Sequence, residues 1–326
     1  MIDFRYHLVS LAAVLIALSI GIVLGAGPLN DNIGTTLSGE VNKLRQEKEA
    51  LRAESNDQRQ QIEGRDAYDE ETLAAVVDGR LTDRRVTVVA LPQAVDDDVA
   101  SIGDTLEQAG ATLGDTVEVT EEWSLTGDAA TSTRSGAGES ALRELGVDPA
   151  VPDGAQRVDQ ALAIILTGRS APEDGTTVSA SQRTRAWADL REAGLIEGPQ
   201  EAPATADLLV VVGGPVPSES SGPSDSIDRE AERTAGVWVA LTHLLQTHAE
   251  ATVLAAAEAE AGTGDASPLT MARTRGSLAE GVSTVDVPSI PMGRAAIVLA
   301  LVEQLDGDAG HYGLGQSADG PVPVLT

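Results

Sequence analysis

The stretch ADLLVVVGGP, residues 206–215, sets five branched aliphatic residues in a row before Gly213, Gly214 and Pro215. A continuous apolar run of this length, ended by a turn, reads as a strand buried on both faces. Similar runs, rich in β-branched residues, occupy 84–92 (RRVTVVALP), 115–120, 251–255 and 281–286. Between them lie helical stretches at 95–109, 159–166, 179–193, 228–248 and 293–305. Alternation of strands and helices predicts an α/β layered fold with a largely parallel sheet. The polar stretch 121–157, rich in Gly, Ser, Thr and Asp, reads as an insertion or mobile loop, and 215–226 as a loop leaving a strand end.

Working outward to the N-terminus, residues 8–27 (LVSLAAVLIALSIGIVLGAG) carry no charge. At about 1.5 Å per residue this run matches the roughly 30 Å of a bilayer core, so a transmembrane helix is expected. The rival is a cleaved signal peptide with Gly25-Ala26-Gly27 imitating the cut, but Pro28 immediately after it disfavours cleavage. Arg5 and His7 in the tail 1–7 lead to the expectation of a cytoplasmic N-terminus with the bulk of the chain outside the cytoplasm; the cell membrane is expected, with an outer membrane as the alternative. Ala13, Ala17, Gly21 and Gly25 recur every fourth residue as a helix-packing face, along which two spans can approach closely.

Residues 28–34 read as a linker and 35–78 as a coiled coil. Leu37, Val41, Leu44, Lys48, Leu51, Ser55, Gln58 and Ile62 alternate spacings of four and three, the pattern of a heptad seam. Lys43/Glu47, Arg45/Glu49 and Arg59/Glu63 are i,i+4 pairs worth only about 0.2–0.5 kcal/mol each, so the helix needs a partner. A homodimer through span and seam is expected; the alternative is a solitary amphipathic helix lying on the domain that follows. The remainder, 79–326, is expected to be one acidic α/β domain.

The chain has 326 residues and a formal charge of -29, with 51 Asp and Glu against 22 Lys and Arg. Residues 1–65 contribute -1, so residues 66–326 carry -28. A field of this sign excludes nucleic-acid binding by net charge and disfavours contact with anionic lipid. Without Cys there are no disulfides, thiolate metal sites, thiol nucleophiles or iron–sulfur clusters. His243 and His248 point to different helix faces, no His pair has ligand spacing, and the three Met residues are isolated, so Cu(I) lacks its usual donors. A Ser nucleophile elbow, a Walker loop and a His-Glu-x-x-His helix are absent, and no enzyme is expected. Gly213, Gly214 and Pro215 form the best pocket loop, at a strand's carboxyl end, although the same tripeptide makes an ordinary turn. Gly-x-Gly-x-x-Ala matches at Gly136/Gly138/Ala141 and Gly313/Gly315/Ala318 lack the strand and helix context of a dinucleotide site.

The opening block from Met1 to Leu11 (MIDFRYHLVSL), running into Gly21-Ile22-Val23-Leu24-Gly25, resembles the start of the actinobacterial MctB family of copper transport proteins. Gly293 to Leu301 (GRAAIVLAL) and Gly310-His311-Tyr312-Gly313 are similar to that family's ending. The resemblance implies an exported envelope protein with a role in copper transport and homeostasis, the family name pointing to an outer-membrane pore. It also implies, through members named SteB, a regulator of septal cell-wall hydrolases with a SteA-like membrane protein as partner. Copper enters by this resemblance alone. One apolar span and a seam suit a membrane-tethered scaffold acting through partners better than a pore.

Overall fold

The computed structural model of the chain describes residues 4–26, 29–150, 154–171, 176–218, 227–275 and 281–324. Two compact units divide at Arg65 and Asp66.

The first unit holds α1 (Phe4–Ala26), 23 residues without an acid or a base after His7, and most of α2 (Leu29–Val77). Helix α1 is long and apolar enough to cross a membrane, and none of that span is buried within the chain. Helix α2 runs 49 residues with no Pro. It starts inside the stretch 28–34 expected to be a linker, which is helical from Leu29.

The second unit is a three-layer α/β/α domain. Its strands are β1 (Arg85–Ala90), β2 (Thr112–Leu113), β3 (Val117–Val119), β4 (Ile196–Glu197), β5 (Leu208–Gly213), β6 (Ala251–Ala256), β7 (Ser283–Val285) and β8 (His311–Tyr312). The order is β4-β3-β1-β5-β6-β7-β8, with β2 pairing the first half of β1 beside β3. All pairs are parallel except β3 with β4. Alternate residues of the aliphatic runs feed two cores: Leu209, Val211 and Leu254 face one, while Leu208, Val210, Val212 and Val253 face the other. This is the two-sided burial that a run without polar alternation requires.

Helices α4 (Asp128–Leu145), α5 (Arg157–Thr167), α6 (Ala180–Glu192), α7 (Arg229–His248) and α8 (Pro268–Thr274) cover the first face. Helices α3 (Asp96–Gln108) and α9 (Pro291–Leu305) cover the second, together with Leu73 and Val77 from the end of α2. Globular packing therefore begins before residue 79: Glu70 pairs with Arg294 of α9. The stretch 121–157, expected as a mobile insertion, is folded over most of its length. It forms a 3-10 turn at Glu121–Trp123 and then α4, which buries Arg134, Gly138, Ala141, Leu142 and Leu145.

Candidate functional site

Open α/β sheets bind ligands beyond strand carboxyl ends, where successive connections leave a strand in opposite directions. Here the chain moves from β1 to β3 on one side and resumes with β5 on the other, so the switch lies between β1 and β5. Gly213 and Gly214 end β5 at that point, as the sequence predicts. They do not line an open crevice. A Cβ on Gly213 would lie 2.9 Å from Leu91 Cδ1, and one on Gly214 only 2.6 Å from the Gln93 carbonyl oxygen. Glycine is needed so that the loop after β1 can fill the switch point. Beyond Pro215, Val216 and Ala266 exchange both backbone hydrogen bonds, at 2.7 and 3.0 Å, and the Ser218 amide donates to Asp265 Oδ1 at 2.9 Å. The loop is a closed turn, and residues 219–226 of the predicted loop lie outside the described residues.

An open cleft of about 570 Å³ lies on the other side of β1, beneath α3. Asp96, Asp104, Glu107 and Glu118 line it together with Leu91, Val99 and Leu113, and no basic residue does. Anions are repelled from such a cleft. Burial raises the pKa of Asp98, in the first turn of the same helix, with Arg294 opposing and Asp97 adding to the shift. Among the described residues no three His, Asp or Glu side chains converge as a metal site.

A buried ion pair stands at the carboxyl ends of β6, β7 and β8. Arg273 of α8 and Asp286 just beyond β7 pair at 2.8 Å, with side chains 1% and 3% exposed. Arg273 also donates to the Tyr312 carbonyl at 2.7 Å and to Thr284 Oγ1 at 2.8 Å, and Glu258 lies 3.5 Å away. The amides of Leu314 and Gly315 donate to the two Asp286 oxygens at 2.8 and 2.9 Å. Gly313, at φ 133°, and Gly315 leave room for that carboxylate: a Cβ on either would collide with Asp286. The second Gly-x-Gly match thus does follow a short strand and does cradle an anion, but the anion is the chain's own side chain. With Asp286 paired to Arg273 and both its oxygens taking amide donors, this cluster clamps the C-terminal segment rather than presenting a reactive group. Sequence reading passed over it because Asp286 resembles any solvated acid after a strand.

Met271 is 7% exposed in the first core, His248 is buried in α7, and His311 contacts Thr284 Oγ1 through Nδ1 at 3.1 Å. Burial, then the neighbouring Arg273, lowers the His311 pKa, with Asp319 opposing. The first Gly-x-Gly match, Gly136/Gly138, lies inside α4, where Gly138 serves contact with α5.

In the first unit, Ala13, Ala17, Gly21 and Gly25 lie four apart along α1, all exposed. Val41, Leu44, Lys48, Leu51, Ser55, Gln58 and Ile62 lie along α2, also exposed, while the side chain of Leu37 is outside the described residues. Leu44 and Leu51 are 62% and 65% exposed. Of the three expected i,i+4 pairs, Lys43–Glu47 forms, at 3.8 Å.

Residues 1–323 match the family described as "Copper transport outer membrane protein, MctB". The chain is 31% identical over 322 residues to the copper transporter MctB of Mycobacterium tuberculosis strain H37Rv, covering 98% of both chains. It is 30% identical over 334 residues to the copper transporter MctB of Mycobacterium leprae, again over 98% of both.

Proposed function

We propose that this chain, which belongs to the MctB family of copper transport proteins, serves copper homeostasis as a single-pass, non-enzymatic scaffold. In this reading α1 anchors the protein in the cell membrane with its N-terminus cytoplasmic, and the acidic α/β domain stands outside. Self-association through α2 presents the protein to its partners, and copper moves through them. The observation that carries the reading is the exposed apolar seam on α2, with Val41, Leu44, Leu51 and Ile62 unburied in a helix too polar elsewhere to persist alone. Two supports concern the pore alternative. Among the described residues no strand exceeds six residues, against about nine to eleven for a membrane barrel strand. The chain also has no Cys and only three Met, so copper as cargo finds none of the usual thiolate or clustered thioether donors.

The test replaces Leu44 and Leu51 with Asp in the full chain. Loss of self-association and of copper tolerance, with the buried Trp fluorescence of the α/β domain unchanged, is the expected result. Retained tolerance without self-association overturns it. Titration of the detergent-solubilised chain with Cu(I) against a modest chelator separates scaffold from carrier: a stoichiometric site that outcompetes the chelator defeats the indirect role. A second reading, regulation of septal cell-wall hydrolases with a SteA-like partner, rests on the same exposed seam. It predicts a division defect in the seam variant with copper tolerance intact.

A further inference from the structure

We infer that the partner of α2 is a second copy of this chain, parallel and in register, selected by a charge code along the seam; this rests on the coiled-coil reading above. The spacings assign Val41, Lys48, Ser55 and Ile62 to heptad position a, and Leu44, Leu51 and Gln58 to d. The residues immediately before the a positions, at g, are then Glu40, Glu47 and Glu54. The residues immediately after the d positions, at e, are Arg45, Arg52 and Arg59. One sign therefore occupies one flank of the seam and the opposite sign the other, through three consecutive heptads.

That segregation is informative because the two ways of pairing helices bring different flanks together. In a parallel, in-register pair each g residue meets the e residue five positions further along the other helix. Glu40 then faces Arg45 of the second copy, Glu47 faces Arg52, and Glu54 faces Arg59, each contact made twice by symmetry. An antiparallel pair sets g against g and e against e, placing Glu on Glu and Arg on Arg. A stagger of one heptad loses the terminal ion pair at each end. All six side chains are exposed in the single chain, and among the described residues only Glu47 of the six has an ion-pair partner, Lys43, itself 77% exposed. Lys48 at an a position weakens the dimer while helping to set its register, as polar a residues do. Both copies also enter the bilayer by the same N-terminal span, which is compatible with the parallel arrangement.

The absence of Cys from the chain makes the test direct. Leu44→Cys, Leu51→Cys and Ile62→Cys are introduced singly into the full chain in membranes and oxidised mildly, with Gln46→Cys, on the helix face away from the seam, as control. Covalent dimers of the chain with itself from all three seam positions, and not from the control, are expected. An antiparallel pair links at no more than one seam position. A one-heptad stagger links none singly but joins Leu44→Cys to Leu51→Cys when the two are mixed; either pattern overturns the register while leaving a coiled coil. No linkage at any seam position, or linkage to a different protein, overturns the coiled-coil homodimer itself.

The charge code is then tested in the Leu51→Cys background. Arg45→Glu/Arg52→Glu/Arg59→Glu gives all-acidic flanks and Glu40→Arg/Glu47→Arg/Glu54→Arg all-basic ones. Each variant alone is expected to lose self-linkage on the order of tenfold or more, and co-expression of the two to restore it as a mixed dimer. Undiminished self-linkage of either, or no mixed dimer, refutes the pairing.

Discussion

His248, in the last turn of α7, is 4% exposed, with Nδ1 at 3.2 Å from the Leu244 carbonyl and 3.0 Å from Thr247 Oγ1. Its Nε2 is buried with no hydrogen-bond partner among the described residues. Burial holds its pKa below the ordinary 6.5, the Leu244 carbonyl opposing. In the unfolded chain this imidazole takes up a proton as pH falls through about 6.5, whereas the folded chain holds it neutral to lower pH. Its contribution to stability is therefore complete above about pH 6.5 and is lost as pH drops toward the depressed folded value. Urea midpoints read by tryptophan fluorescence between pH 7.5 and 5.5 should fall in the natural protein and fall less in His248→Asn. A residual slope is expected from His311, which burial and Arg273 shift in the same direction. An identical slope in the variant would show that His248 is not the group titrating.

At the scale of elements, α4 tests how a helix can be built from a sequence that reads as a loop. Residues 128–145 are rich in Ser, Thr and Gly, which have modest helix propensity. The buried set Arg134, Gly138, Ala141, Leu142 and Leu145 nevertheless has spacings of four, three, one and three, a helical stripe. It was illegible because two of its members are an arginine and a glycine. Gly138 is buried for contact: its Cβ would lie 2.5 Å from the Val158 amide nitrogen of α5. Gly136, two residues earlier, is exposed with nothing within 4 Å of its Cβ position. The same substitution should thus have opposite signs at the two sites. Gly138→Ala is expected to cost about 1–3 kcal/mol by forcing the helices apart, and Gly136→Ala to add about 0.5–1 kcal/mol through helix propensity. Denaturant unfolding of both variants measures the contrast, and equal effects would mean that α4 does not pack on α5 as described. Strands β1, β5 and β6 were legible because each is a run of five or six residues buried on both faces, a requirement written into the residues themselves. The two-residue strands β2, β4 and β8 exist only through their neighbours, and no local pattern marks them. The site was legible in part for the same reason. The switch-point glycines could be placed from a strand end, but that Leu91 and Gln93 close the crevice, and that Asp286 is wrapped by the tail, are facts of tertiary packing.

For the molecule as a whole, the uneven distribution of charge gives its two units opposite responses to salt. Residues 66–326 carry -28 with every arginine already counted, so ion pairs such as Arg84 with Glu250 or Arg273 with Asp286 leave that excess as an unpaired remainder. Self-repulsion of the remainder opposes the compact state, and added salt screens it. Residues 40–65 hold six acids and six bases, and in the proposed dimer the charges at the seam attract rather than repel. Screening removes that attraction. Raising NaCl from about 0.02 to 0.5 M shortens the Debye length from above about 20 Å to below about 5 Å, enough to suppress exposed pairs and long-range repulsion alike. The urea midpoint of the α/β domain should therefore rise with salt while self-association of the full chain weakens. Two independent signals separate these effects. Trp123, Trp187 and Trp238 are all buried in the second unit, so tryptophan fluorescence, excited beyond the tyrosine band, reports that unit alone. Linkage of the Leu51→Cys variant reports α2 alone. A dimer strengthened by salt would mean that the seam is held by its few apolar residues and that the flanking Glu and Arg do not meet, whereas a domain destabilised by salt would mean that its surface charges already attract more than they repel.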